Sequence, residues 1–229
     1  MKNWSLGDHA RLVDPFPGSS FISQNKSQAW QDIWVLTVTR GARCKRYLEV
    51  GANDPTLHNN TWLLSQLYNW SGVSIEYDPS HITSWSKVRS RDKFICADAL
   101  LLDYTAILTE LCAGSEKRVD YLQLDIEPSI NTLQVLKRLP LDEFRFSTIT
   151  FETDAYLGDL RAQKESRDLL KSKGYVAVFE NVTVRCQEVA PDPIPFEDWW
   201  IDLSYLQEIG ATQVRVAKNC FPSEYLLSP

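Results

Sequence analysis

The sequence predicts an α/β protein built on a mostly parallel, Rossmann-like sheet, and three observations carry that prediction. Six short runs rich in β-branched and aromatic residues read as strands: Arg46–Val50, Gly72–Glu76, Lys93–Cys96, Val119–Asp125, Ser147–Glu152 and Tyr175–Glu180. Longer amphipathic segments alternate with them, which implies right-handed βαβ units and a sheet covered on both faces. Acidic residues stand at or just beyond the ends of the first five runs, where an open parallel sheet places its ligand cleft.

In chain order, the first forty residues contain Pro15 and Pro17, then an amphipathic stretch through Trp30-Gln-Asp-Ile-Trp-Val35 that reads as a helix. Residues 1–44 are expected to form a helical extension packed on a single domain spanning 1–229. Between the strands, helical patterns cover Thr61–Tyr68, His81–Arg89, Tyr104–Cys112, Ile130–Leu139 and Gly158–Lys173. In the last, Leu160, Leu169 and Leu170 share one face and charges fill the other. Tyr121-Leu-Gln-Leu124 has the apolar character of a central strand, interrupted by Gln123. After the sixth run, Asn181 is expected to turn the chain into a seventh strand, Val182–Cys186, antiparallel in the otherwise parallel sheet. Pro191-Asp-Pro-Ile-Pro195 then breaks regular structure before Phe196-Glu-Asp-Trp-Trp200.

Composition narrows the function. At 229 residues, with 44% hydrophobic and 24% charged residues, the chain matches an ordinary globular domain. A net charge of -6 argues against general nucleic-acid binding, which needs a basic face, and the Arg40, Arg43, Lys45, Arg46 cluster reads as a solvated turn. The five cysteines are widely spaced without a Cys-x-x-Cys pair, which fits reduced thiols and a cytoplasmic setting. No signal-like apolar run opens the chain, and no apolar stretch reaches the roughly 18 residues of a membrane span.

The chemistry is expected at the strand ends. Glu49 leads into Gly51-Ala-Asn53-Asp54, Glu76 ends the second strand, and Asp98 with Ala99 follows the third. Asp125 with Glu127 follows the fourth, and Glu152 with Asp154 the fifth. Gly51 allows a tight turn and close approach of a ligand. The loop lacks the second and third glycines of a dinucleotide fingerprint, and no Gly-Lys-Ser/Thr phosphate loop exists anywhere. A phosphate-free ligand bearing a ribose for Glu76 and a positive charge for the acidic rim fits these conditions, and S-adenosylmethionine (SAM) is such a ligand.

Several motifs also resemble one family. Tyr47-Leu-Glu-Val-Gly-Ala-Asn-Asp-Pro55, Asn60-Thr61, Gly72-Val-Ser-Ile-Glu76, Leu122-Gln-Leu-Asp-Ile-Glu127 and Ile149-Thr-Phe-Glu-Thr-Asp-Ala-Tyr156 are similar to those of FkbM-type methyltransferases. Ser23-Gln24 and Gln31-Asp32 upstream, and Gly174-Tyr175 and Phe196–Trp200 downstream, extend the resemblance over residues 22–203. It implies a Rossmann-like class I methyltransferase fold, a seven-stranded sheet with an antiparallel C-terminal hairpin strand, SAM as methyl donor, and a hydroxyl acceptor on a sugar, glycan or natural product. Glu49, Gly51, Asn53 and Thr61 are cofactor-binding candidates, Glu76 takes the ribose position, Asp98 with Ala99 lies near adenine, and Asp125, after strand four, is also a cofactor-binding candidate through the amino group of SAM. The sequence departs from the family pattern at Thr153, where many relatives carry His, and at His58, where a small or apolar residue is usual.

Methyl transfer to an alcohol needs alignment of the reacting atoms and removal of the hydroxyl proton. Asp125 is the leading candidate at the acceptor end, as a base or as a metal ligand, and His58 is the rival base. In the metal version, Asp125, Glu152 and Asp154 hold a divalent cation, Mg or Mn, through oxygen. Trp199 and Trp200 read as packing residues, with stacking on a sugar ring as the other possibility. A nitrogen- or carboxyl-directed enzyme and a non-catalytic Rossmann-like binding domain remain as alternatives. Acceptor identity and oligomeric state are not encoded in any motif.

Overall fold

The computed structural model describes residues 23–114, 116–185, 192–211 and 216–222. Its centre is an eight-stranded sheet in the order β3-β2-β1-β4-β5-β7-β6-β8. The strands are β1 (Arg46–Val50), β2 (Ser71–Glu76), β3 (Lys93–Cys96), β4 (Arg118–Leu124), β5 (Arg145–Glu152), β6 (Tyr175–Val184), β7 (Ile194–Asp202) and β8 (Ala217–Cys220). The helices are α1 (Gln31–Val38), α2 (Trp62–Tyr68), α3 (Ile82–Val88), α4 (Tyr104–Leu111), α5 (Ser129–Arg138), α6 (Arg161–Ser172) and α7 (Leu203–Glu208). All six expected strands and the helices between them form, with ends shifted by a few residues.

The sheet splits the core in two. On one face, α1 and α2 bury Ile33, Trp34, Leu63 and Leu64 against Tyr47, Tyr121, Phe179 and Trp199. On the other, α4, α5 and α6 bury Leu108, Leu136 and Leu170 against Leu48, Leu122, Phe146 and Trp200. Alternation along each strand produces this division, because neighbouring residues point to opposite faces. Residues Gln31–Leu36 of α1 are buried all round, so this helix is part of the core. Residues 1–22 of the expected N-terminal extension, with Pro15 and Pro17, lie outside the described residues.

The antiparallel hairpin strand exists, but a later segment makes it. Asn181 has φ 58 without turning the chain; β6 runs on to Val184 through register irregularities, and β7 returns between β5 and β6. The sheet thereby has eight strands where the sequence pattern suggested seven. The three acids of β7 are each partnered. Arg167 holds Asp198 at 2.7 and 2.9 Å, Arg145 and Arg118 hold Asp202, and the Trp199 indole donates to Glu197 at 2.6 Å. Trp199 and Trp200 are fully buried. Trp199 lies 4.8 Å from the Trp34 ring and 4.7 Å from Phe179, so stacking on a ligand is ruled out for it and packing is its role. Cys186 and Pro191 fall outside the described residues; Cys44 and Cys96 are free thiols. No helix among the described residues is long and apolar enough to cross a membrane.

Candidate active site

Strand order reverses between β1 and β4, and there the carboxyl ends of the strands open a cleft of about 770 Å³. Gly51 is fixed by the way the two strands meet. Its φ is +85, and a Cβ there would lie 1.6 Å from the Asp125 carbonyl oxygen, so only glycine allows the loop after β1 to cross the end of β4. The Gly51 and Ala52 amides both donate to the Ile75 carbonyl at 3.0 Å, and the Asp125 amide donates to Val50 at 3.0 Å. The loop and the ends of β2 and β4 are thereby one unit.

Glu76 ends β2 with each carboxylate oxygen already holding a backbone amide, Asn53 N–H on Oε2 and Asp78 N–H on Oε1, both at 2.8 Å. A carboxylate has about four acceptor sites, so two remain for the paired hydroxyls of a ribose. Asp98 is spent in part on the Leu100 amide at 2.8 Å, which shapes the turn carrying Ala99 at the far end of the cleft.

Glu49 lines the cleft from below, almost fully buried, and accepts from Ser74 Oγ at 2.7 Å and Thr61 Oγ1 at 2.9 Å. Burial raises its pKa, and the Arg89 charge with these hydroxyls opposes the rise. Thr61 does not reach the cleft as the cofactor loop pattern implied. Its hydroxyl faces inward between Glu49 and Arg89 Nη2, at 3.0 Å from the latter, and so it positions Glu49.

Arg89 was missed by sequence reasoning, since a basic residue at the end of a helical pattern reads as solvated. It is 1% exposed. Its guanidinium donates to Tyr47 Oη at 2.8 Å, to Asn59 Oδ1 at 2.9 Å and to the Pro55 carbonyl, and it is ion-paired with Asp92. It stacks 4.8 Å from the Trp85 ring, whose indole N–H donates to the Asn53 carbonyl at 2.8 Å. Together α3 and the residue after it clamp the loop between β1 and α2 from beneath.

Of the remaining sequence candidates, Asn53, His58, Asp125 and Glu152 line the cleft. His58 is half-buried at φ 53, and burial lowers its pKa while Asp54 works against that, leaving a neutral imidazole at pH 7. Asp154 does not line the cleft. It adopts φ 48, which swings its carboxylate back to accept from the Ser129 amide at 3.2 Å. The expected cation site of Asp125, Glu152 and Asp154 is therefore not assembled, and no group of three His, Cys, Asp or Glu side chains among the described residues is arranged to hold a metal. Thr153, at the position of the family histidine, donates its hydroxyl to the Phe196 carbonyl at 3.1 Å and is wholly buried.

The cleft is lined by seven carboxylates, Glu49, Asp54, Glu76, Asp98, Asp125, Glu127 and Glu152, and by no Lys or Arg among the described residues. Such walls repel phosphates and favour a ligand with positive charge and hydroxyl donors. Gly51 clears the floor, Glu76 keeps two free acceptor sites, and the acids suit a sulfonium, so the residues present fit SAM.

No family model matches the chain, and no curated relative matches it in sequence. Solved structures do resemble it. A Klebsiella pneumoniae protein provisionally named an O-methyltransferase is 16% identical, over 76% of this chain and 80% of that one, with a TM-score of 0.51. A TehB-like SAM-dependent methyltransferase from Corynebacterium glutamicum is 14% identical over 75% and 86% of the two chains, with a TM-score of 0.44. A Pyrococcus horikoshii protein provisionally named an RNA methyltransferase is 11% identical over 84% and 92%, with a TM-score of 0.49. None of these singles out the FkbM type. The likeness to the Klebsiella protein and the strand order together give the conclusion: the chain has the class I methyltransferase fold, a mostly parallel α/β sheet with an antiparallel strand near its C-terminal end.

Proposed function

We propose that this chain is a SAM-dependent O-methyltransferase of FkbM type, acting on a hydroxyl of a sugar, glycan or natural product. The observation that carries the reading is the acid-rich cleft at the switch point, with Glu76 presenting a bridged carboxylate beside the Gly51 turn. When bound, SAM supplies an electrophilic methyl group on a sulfonium. Glu76 would hold the ribose, Asp98 the adenine end, and the loop from Gly51 to Asn53 the methionyl end. The acceptor's space lies over Asp125, Glu152 and His58, all lining the same cleft. His58, neutral at pH 7, can accept a hydroxyl proton at its free ring nitrogen, and Asp125 can accept one or orient the hydroxyl. The acidic walls also favour small or glycan acceptors over nucleic acid.

The test is calorimetry with S-adenosylhomocysteine on the wild type and on Glu76→Gln, followed by transfer of labelled methyl from SAM to hydroxylated acceptors. Micromolar binding is expected, weakened about 10- to 100-fold by the substitution, since hydrogen bonds to a charged group contribute about 1.5–3 kcal/mol. Absence of binding to the wild type sinks the enzyme reading. Binding without transfer to any acceptor leaves the fold as a non-catalytic binding domain.

A further inference from the structure

Two of the three acids of β7 are held by arginines, Asp198 by Arg167 and Asp202 by Arg145 and Arg118. Glu197 is not. It is 3% exposed, and no Lys, Arg or His among the described residues is paired with it. Its polar neighbours are the Trp199 indole, which donates to Oε1 at 2.6 Å, and the Gln31 amide. A carboxylate buried against neutral donors without a cation is strongly disfavoured, and in practice such a group neutralises.

The register adds a second acid. Glu197 stands directly opposite Glu152 in the antiparallel pairing of β5 with β7. Residues so opposed share one face, with Cβ atoms about 4.5–5.5 Å apart, and like charges there destabilise the pair. Glu152 is 6% exposed and lines the cleft, whereas Glu197 does not reach it. The other titratable groups around Glu197 bring no positive charge. Asp125 beyond β4 and Asp198 of its own strand are acids, and Tyr121 of β4 interacts with Glu197 together with Glu49 of β1 and Asp32 of α1. Burial, joined by the Asp125 charge, pushes the Glu197 pKa well above the usual carboxylate range, and the indole bond works against them. With the indole on Oε1, Oε2 is left to carry the proton, and the Glu152 carboxylate is the acceptor across the ladder.

We infer that Glu152 and Glu197 form a carboxylate–carboxylic acid pair across β5 and β7, in which Glu197 keeps the proton and, as a positioning residue, aims the Glu152 carboxylate at the acceptor. The part played by the acceptor rests on the methyltransferase reading and deepens it: Glu152 receives a hydrogen bond from the acceptor's hydroxyl. The pair itself gains and loses no proton during transfer. Because Glu197 is neutral, the pair brings one negative charge to the acceptor end, held in a fixed direction.

The experiment is NMR of protein carrying carbon-13 in its glutamate carboxyl groups, titrated with and without S-adenosylhomocysteine, with Glu197→Gln and Glu152→Gln assigning the two signals. A protonated acid is expected at neutral pH, absent from Glu197→Gln. Glu152→Gln should move the Glu197 titration down by at least about one pH unit, the effect of removing a like charge. Glu197→Leu, which removes the O–H donor, should move the Glu152 titration up by about as much, and Glu197→Gln, which keeps a donor, much less. Two ionised carboxylates at neutral pH overturn the inference. So does a Glu197 titration that Glu152→Gln leaves unmoved, or a Glu152 titration that Glu197→Leu leaves unmoved. Loss of the protonated signal at millimolar Mg2+ also overturns it, since a cation then holds the pair. Failure of S-adenosylhomocysteine to bind would instead bring down the methyltransferase reading while the two titrations stay readable, so the failures are told apart in one sample.

Discussion

Arg89 offers the sharpest test of how the site is held. Its side chain is 0% exposed and that of its partner Asp92 is 3% exposed, so the pair is fully desolvated. Removing one member of a buried pair leaves the other charge uncompensated, at about 3–5 kcal/mol. Arg89→Met strips Asp92 of its cation, leaving it the Ser65 hydroxyl at 2.7 Å, and removes the guanidinium that holds Glu49's pKa down. For a chain of this size each kcal/mol lowers Tm by about 2–4 °C, so a drop of roughly 6–20 °C is expected. Denaturant unfolding of Arg89→Met, Asp92→Asn and the double variant gives the coupling directly. The double variant should cost less than the two single costs added, by about 2 kcal/mol or more. Because Arg89 also clamps Asn59 and the Pro55 carbonyl, S-adenosylhomocysteine affinity should fall as well. Strict additivity, or a single-variant cost below about 1 kcal/mol, would refute the account of Arg89 as a buried clamp.

Other outcomes follow from the same geometry. Gly51→Ala forces a Cβ onto the Asp125 carbonyl at positive φ, so a loss of at least about 3 kcal/mol is expected together with weaker S-adenosylhomocysteine binding; a Tm within 2 °C of wild type would contradict the close crossing. Asp125→Asn should lower kcat about 100-fold or more with little change in cofactor affinity, and His58→Ala should lower it less, if Asp125 is the group at the acceptor; the reverse order assigns the base to His58. Asp32 is wholly buried in α1, and burial pushes its pKa up to about 6 from 3.8 while the Ser27 hydroxyl and the Ile33 amide, each at 2.7 Å, oppose it. The folded state therefore holds this proton more tightly. Its contribution to stability is fully present below pH 3.8, is lost as pH rises through 6, and amounts to about 3 kcal/mol. The wild type minus Asp32→Asn difference in denaturant midpoint should shift across that window, and a flat difference from pH 4 to 8 would count against it.

Much of this was legible in the chain because sheet proteins obey strong rules of placement. Glu49, Glu76, Asp98, Asp125 and Glu152 fall on the cleft because each closes a parallel strand, and strand ends can be read from pattern alone. What stayed hidden depends on contacts between distant segments. Arg89 is buried only because residues 53–61 return over it, and Thr61 points inward only because Arg89 is there. Glu197 reads in the chain as one acid among three, and its burial opposite Glu152 emerges only once β7 lies beside β5. The hairpin was placed too early because Asn181 carries turn chemistry. The strand continues because the Asn181 amide donates to Asp198 at 2.8 Å, and that partner is itself held by Arg167 from α6. Ile194–Asp202 does not read as a strand because Pro191–Pro195 break regular structure and the cations that balance Asp198 and Asp202 lie far away in sequence.

The place of β7 has a consequence for how the chain is made. Both neighbours of β6, β7 and β8, come later in the sequence than β6 itself. While synthesis has reached only Val184, β6 has no strand to pair with and β5 presents an open edge, the kind of surface on which chains aggregate. The β1–β5 half, with its cleft, can form first, and the far half waits for residues 194–202 to emerge. A ribosome pause or a premature stop between those points would yield a chain with the ligand site nearly complete and the sheet unsealed.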